Sequence, residues 1–149
     1  MRLFPRITIF SLGESAAGLL RRRAGRNLEI TPASEQVRRG ERIQVVLRVD
    51  GDAAGESVEA GLVCTETYAT FMPSEKLTVS DRKMVDAVAH EQWLPLDSGQ
   101  TTQTFAFDVP AEAPFSFRGE HLRFTWRVCA RQRRRGLDAT TGREIEVLP

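Results

Sequence analysis

Polar and apolar positions alternate along most of this chain, and the alternation sets in at Asn27. Ile43, Val45, Leu47 and Val49 share one phase, while Gln44, Val46, Arg48 and Asp50 share the other, which predicts a half-buried strand. Val58, Ala60, Leu62 and Cys64 repeat the pattern against Glu59, Gly61, Val63 and Thr65. Phe105, Phe107 and Val109 form a third run. The longest run sets Leu122, Phe124, Trp126, Val128 and Ala130 against Arg123, Thr125, Arg127, Cys129 and Arg131. Leu28 with Ile30, and Ile145 with Val147, add short strands at either end. A Pro-containing kink, a turn at Arg39-Gly40, a Gly- and Asp-rich loop over 51–57, a proline-bounded loop from Pro110 to Gly119 and a turn over 134–142 separate these runs. Between Met72 and Leu96 the alternation breaks, and the sequence suggests a loop with one or two strands ending near Trp93.

The stretch before Asn27 has a different period. Ser11 followed by Glu14 fits a capping box, in which each side chain satisfies a backbone N–H at a helix start. Leu12, Ala16, Leu19 and Leu20 then share one helical face, and Arg21, Arg22 and Arg23 fall where cations meet the negative helix end. Gly25 can close such a helix. The expectation is a short basic amphipathic helix over about 12–24 inside an N-terminal segment, 1–26, and a β domain over 27–149. Seven or eight strands with turns every 8–15 residues and no helix between them predict an all-β, antiparallel, immunoglobulin-like sandwich rather than a parallel α/β sheet.

The order F-x-F-x-V-P-x-x-x-P-x-S-x-x-G from Phe105 to Gly119, then a strand containing Trp126, then a basic turn with Asp138 and a final strand, resembles the arrestin-like fold. That fold is shared by arrestins, their α-arrestin relatives and a bacterial sporulation-control family. Phe105, Phe107, Pro110, Pro114, Ser116, Gly119, Phe124, Trp126 and Val128 carry the likeness. Upstream, the strand entering the Gly40-Glu41 turn and the run with Glu66 and Tyr68 sit where the family places its opening strands. The resemblance covers about 27–148. It implies a bacterial, non-enzymatic adaptor lobe that binds a protein partner. Arrestins proper have two such lobes and a buried charge cluster acting as a phosphate-triggered switch. This chain has length for one lobe, and that cluster is not found in it.

Composition narrows the field further. At 149 residues the chain is long enough to bury a core without metal or disulfide support. Its net charge of +1 conceals an uneven spread. Residues 1–50 hold 10 Lys+Arg against 5 Asp+Glu (+5), residues 51–118 hold 4 against 11 (−7), and residues 119–149 hold 7 against 4 (+3). Basic ends can seek an acidic partner or pair with the acidic middle. Two cysteines without a C-x-x-C spacing argue for reduced thiols in a cytoplasm. No apolar run approaches the ~20 residues of a membrane span.

Catalytic signatures are missing: G-x-S-x-G, H-E-x-x-H, G-x-x-x-x-G-K-[ST] and G-x-G-x-x-G do not occur. With only His90 and His121, a histidine-rich metal site is not expected, nor is any cofactor. His121 opens the longest run in its outward phase, where solvent is the expected neighbour. Candidate partner-binding residues are therefore Phe115 and Phe117 in the proline-bounded loop, with a sheet edge or sheet face as the docking surface. Edge pairing would also permit a homodimer. Arg131, Arg133, Arg134 and Arg135, joined by Arg21, Arg22 and Arg23, could form a patch for an acidic membrane surface or another anion; a solvated hairpin tip explains the run equally well. No aromatic residues interleave these runs, which counts against nucleic acid, whose bases would have no platform to stack on. Cys129, in phase with Arg123, Arg127 and Arg131, reads either as an activated thiolate or as an inert thiol under a covering helix. Trp93 and Trp126 are expected in the core, and Cys64 with them.

Overall fold

A computed structural model describes residues 28–50, 57–72, 81–133 and 139–149. The expected helix over 12–24 and the Arg21–Arg23 run lie outside these residues, and none of the described residues is helical. Nine strands are present among them: β1 (Leu28–Pro32), β2 (Gln36–Arg38), β3 (Arg42–Val49), β4 (Val58–Met72), β5 (Asp81–Pro95), β6 (Thr102–Asp108), β7 (Phe117–Arg118), β8 (Leu122–Gln132) and β9 (Ala139–Leu148).

The strands form two sheets. One has the order β1-β3-β6 and the other β2-β9-β8-β4-β5, with the two-residue β7 beside the start of β8. The in-phase residues of both sheets meet in a single buried cluster. Ile30, Val45, Leu47 and Phe107 come from the first sheet; Leu62, Cys64, Trp126, Val128 and Val147 come from the second. Each of those strands therefore buries one face, which is what period-2 patterning requires. Trp126 and Phe107 are completely buried and are the largest contributors, each stabilising the fold by roughly 2–3 kcal/mol through area removed from water.

The antiparallel expectation needs one correction. β2 runs parallel to β9, with Gln36, Val37 and Arg38 opposite Glu146, Val147 and Leu148. The cause is local. β1 ends at Pro32, the chain bends at Ala33 to Glu35, and Ser34 Oγ turns back to donate to the Gln36 carbonyl at 2.7 Å. The strand thereby switches sheets and arrives beside β9 in the same direction. Gly40, with φ of +81°, then permits the turn into β3 that the sequence placed there. The final strand also starts earlier than expected: Thr140 to Gly142 pair with β8 instead of belonging to a turn.

The two sheets differ in length. β4 and β5 each run 15 residues, against 8 for β3 and 7 for β6. The β4–β5 hairpin consequently projects past the smaller sheet, and its distal side chains are only half-buried or exposed.

Candidate functional site

Among the described residues no strand pairs with the far side of β5, so β5 is one edge of the larger sheet and β2 the other. Which backbone groups face outward follows from two hydrogen bonds. Leu96 N–H donates to Val58 O at 2.8 Å, while Ala69 N–H donates to His121 O at 2.9 Å on the other side of β4. Even-numbered residues of β4 therefore point to β5, and odd-numbered ones to β8. Through the β4–β5 register, the backbone groups of Arg82, Met84, Asp86 and Val88 point away from β4, as do those of Trp93 and Pro95.

The two halves of this edge are not equivalent. The half near the core is blunted by two devices. Pro95 has no N–H to offer at an outward position. A bulge interrupts the ladder, since Cys64 is opposite His90 but Thr65 is opposite Val88, leaving Ala89 extra. Trp93 itself turns inward over the neighbouring strand, away from the edge: a Cβ on Gly61 would lie 2.4 Å from the indole, so glycine alone lets the ring lie flat there. The distal half, from Arg82 to Val88, is continuous and carries none of these. Met84 is 38% exposed on it, and Phe71 across the hairpin is 56% exposed, edge-on to His121 with ring centroids 5.9 Å apart.

Phe115 and Phe117 lie in the proline-bounded segment that crosses from β6 in one sheet to β8 in the other. Both rings are substantially exposed. Three hydrogen bonds hold the loop at Pro114 and Ser116. Trp126 Nε1–H donates to Pro114 O at 2.9 Å, Ser116 N–H donates to Val147 O at 2.8 Å, and Val147 N–H donates to Ser116 Oγ at 2.8 Å. The Arg39 guanidinium sits 5.2 Å above the Phe115 ring. Phe117 is opposite Phe124 and walls an open groove of about 620 Å³. Glu35, Glu144, Glu146 and Arg118 also line it, but Arg118 is bonded to Glu144 and the Gln36 amide donates to Glu146 at 2.7 Å.

The arginine residues are at the other end of β8. Arg131 Nε is 2.6 Å from Glu59 Oε2, and its guanidinium lies 3.8 Å from the centroid of the Trp93 ring. Arg133 approaches the same carboxylate at 4.0 Å. Both arginines thus share one counter-charge on the face away from the core, and Arg134 and Arg135 lie outside the described residues. Phe115 and Phe117 are not brought together with the arginine run: β8 separates them by most of its 11 residues.

Trp93 corrects the sequence reading. Trp126 is core as expected, but Trp93 is half-buried on the opposite face, outside the core cluster. Cys129 also faces that side, beside Gly61 and Gly142, and a Cβ on Gly142 would come within 3.2 Å of its Sγ. It is fully buried all the same. Burial pushes its thiol up to about 12, with Arg127 only partly opposing. Burial, with Glu66 adding to it, pushes Cys64 up to about 12 as well. The packed reading of Cys129 fits, and the thiolate reading does not. His90 stands with its ring centroid 5.6 Å from that of Trp126, and burial holds its imidazole below the ordinary range, with Glu91 opposing.

Among the described residues, no three His, Cys, Asp or Glu side chains converge where they could hold a metal ion, and no helix is long and apolar enough to cross a membrane. The chain matches no protein-family model and no curated protein. Among solved structures it is similar in fold to the sporulation control protein Spo0M of Bacillus subtilis, with a TM-score of 0.54 over 83% of this chain at 17% identity. The chain spans about half of that protein, 49% of its length. The arrestin-like resemblance read from Phe105 to Val128 therefore has a counterpart in three dimensions.

Proposed function

We propose that this chain is a non-enzymatic adaptor module that holds a protein partner along the free edge of β5. One observation carries the reading: a 15-residue edge strand whose distal half keeps its outward N–H and C=O groups without a strand partner among the described residues while its proximal half is blunted. An extended segment of a partner can add to such an edge through main-chain hydrogen bonds, with side chains on either face selecting it. The Spo0M-like fold is consistent with a regulatory or adaptor role. The alternative is attachment to an acidic surface or anion through the two arginine runs. Glu59 and Trp93 already engage Arg131, which leaves that alternative with less free charge.

The test compares capture from a native lysate by the wild-type chain, Met84→Pro and the double change Phe115→Ser with Phe117→Ser. Proline at 84 removes an outward donor without touching the β4–β5 ladder. A partner held by wild type and lost with Met84→Pro supports the edge. A partner lost only with the phenylalanine changes moves recognition to the crossover loop.

A further inference from the structure

The distal half of β5 is complementary to itself. We infer that two copies of this chain pair antiparallel through β5 across a two-fold axis at Met84. This rests on the edge reading above and names its occupant.

The argument starts from which groups face out. Arg82, Met84 and Asp86 all direct their backbone groups away from β4, so an axis at Met84 makes Arg82 opposite Asp86 of the second copy, Met84 opposite Met84, and Asp86 opposite Arg82. All three are hydrogen-bonded positions, giving six main-chain bonds in the pairing. The three side chains also share one face. Asp86 accepts from Thr67 Oγ1 at 2.7 Å, and Met84 and Arg82 are opposite Ala69 and Phe71 in the same phase. The exposed methionines then meet at the axis, flanked on both sides by an Arg–Asp pair.

Other registers fail on charge. An axis at Arg82 or Asp86 sets like charges directly opposite, which destabilises a pair. An axis at Lys83 places Arg82 against Met84, and one at Val85 places Met84 against Asp86 and Arg82 against Val88. Only the Met84 axis satisfies both charges. The pairing exchanges one contact within the subunit: the Arg82 guanidinium reaches across β4 to Glu120 and must leave it to meet Asp86 of the second copy, while Asp86 keeps a second oxygen beside its bond to Thr67.

The experiment is sedimentation equilibrium of the full chain over a concentration series, with amide exchange at high and low concentration. The expected result is a reversible dimer in which the amides of Arg82, Met84 and Asp86 gain protection with concentration. Arg82→Glu alone and Asp86→Arg alone should each weaken it about tenfold, through two like-charge contacts per dimer. The double change Arg82→Glu with Asp86→Arg should restore it. That rescue cannot come from inside the subunit, where the contacts to Glu120 and Thr67 stay altered. A chain that remains monomeric at concentrations on the order of 100 µM overturns the self-pairing and leaves the edge free for another protein, a case the Met84→Pro capture decides separately. A dimer unaffected by both single changes also overturns it, because its contact then lies elsewhere.

Discussion

Replacing Trp126 by Phe tests how far the crossover loop is fastened by the indole hydrogen bond. The indole is completely buried, and its Nε1–H donates to the Pro114 carbonyl at 2.9 Å. Phenylalanine keeps most of the ring but has no donor. Losing that donor costs the half-buried Pro114 carbonyl about 1–3 kcal/mol. The missing part of the indole leaves roughly 40 Å³, which at about 24 cal/mol per Å³ adds ~1 kcal/mol. The expected loss is therefore about 2–4 kcal/mol, or a fall of roughly 10 °C in melting temperature for a chain of this size. Thermal unfolding measures the total, and amide exchange locates it. Ala113 N–H, bonded to Pro110 O, and Ser116 N–H, bonded to Val147 O, should exchange faster in Trp126→Phe relative to the strand amide of Val49. Val128→Ala supplies the control, a core deletion that leaves Pro114 alone. If the loss is under 1 kcal/mol, or if Val128→Ala loosens Ala113 and Ser116 equally, the loop is not held by the indole and rests on the Ser116–Val147 bonds instead.

Two further outcomes follow from the buried titrating groups. Because burial holds both thiols at about 12, neither Cys64 nor Cys129 should react appreciably with a thiol reagent at pH 8 in the native chain, and both should react rapidly in denaturant; one fast thiol in the folded state would refute the packed reading of Cys129. His90 is held below its ordinary value of 6.5, so the folded state favours the neutral imidazole. Its share of stability is complete above pH 6.5 and is lost as pH falls from there through the lowered folded value, because the unfolded chain takes up the proton first. Denaturant midpoints measured between pH 8 and pH 5 should fall, and His90→Gln should flatten that slope; an unchanged slope would assign it to other groups.

How much of this could be read beforehand depends on how each strand is buried. β3, β4 and β8 each bury one face against the other sheet, so their apolar phases were plain in the sequence. β5 was not legible for two reasons. Its distal half overhangs the smaller sheet, so neither face is selected to be apolar: Arg82, Met84, Asp86 and Val88 are on one side, Lys83, Val85 and Ala87 on the other. The bulge at Ala89 then flips the phase, so that His90 and Gln92 continue the face begun by Val85 and Ala87. β2 and β7 are three and two residues long, too short for any period. Trp93 misled because a large aromatic normally signals a core. The clue to its place was on another strand, in Gly61, where a bare backbone makes room for a ring. Phe115 and Phe117 were legible as exposed aromatics of a loop, but their distance from Arg131 was set by the length of β8.

The charges on distal β5 have two effects, and the second explains why the edge can be both safe and specific. Charged side chains on an open edge discourage indiscriminate pairing, since most strands that approach will leave a charge unmatched or repelled. Arg82, Lys83 and Asp86 would do this against most sequences. Their order, however, is not random with respect to the strand's own two-fold. With Met84 midway between Arg82 and Asp86, one approach satisfies both charges at once, and a slip of the axis by a single residue satisfies neither. Guarding and selecting are then the same arrangement seen from different partners. The proximal half needs no such selectivity, because the proline and the bulge already interrupt the outward groups that a pairing strand would need.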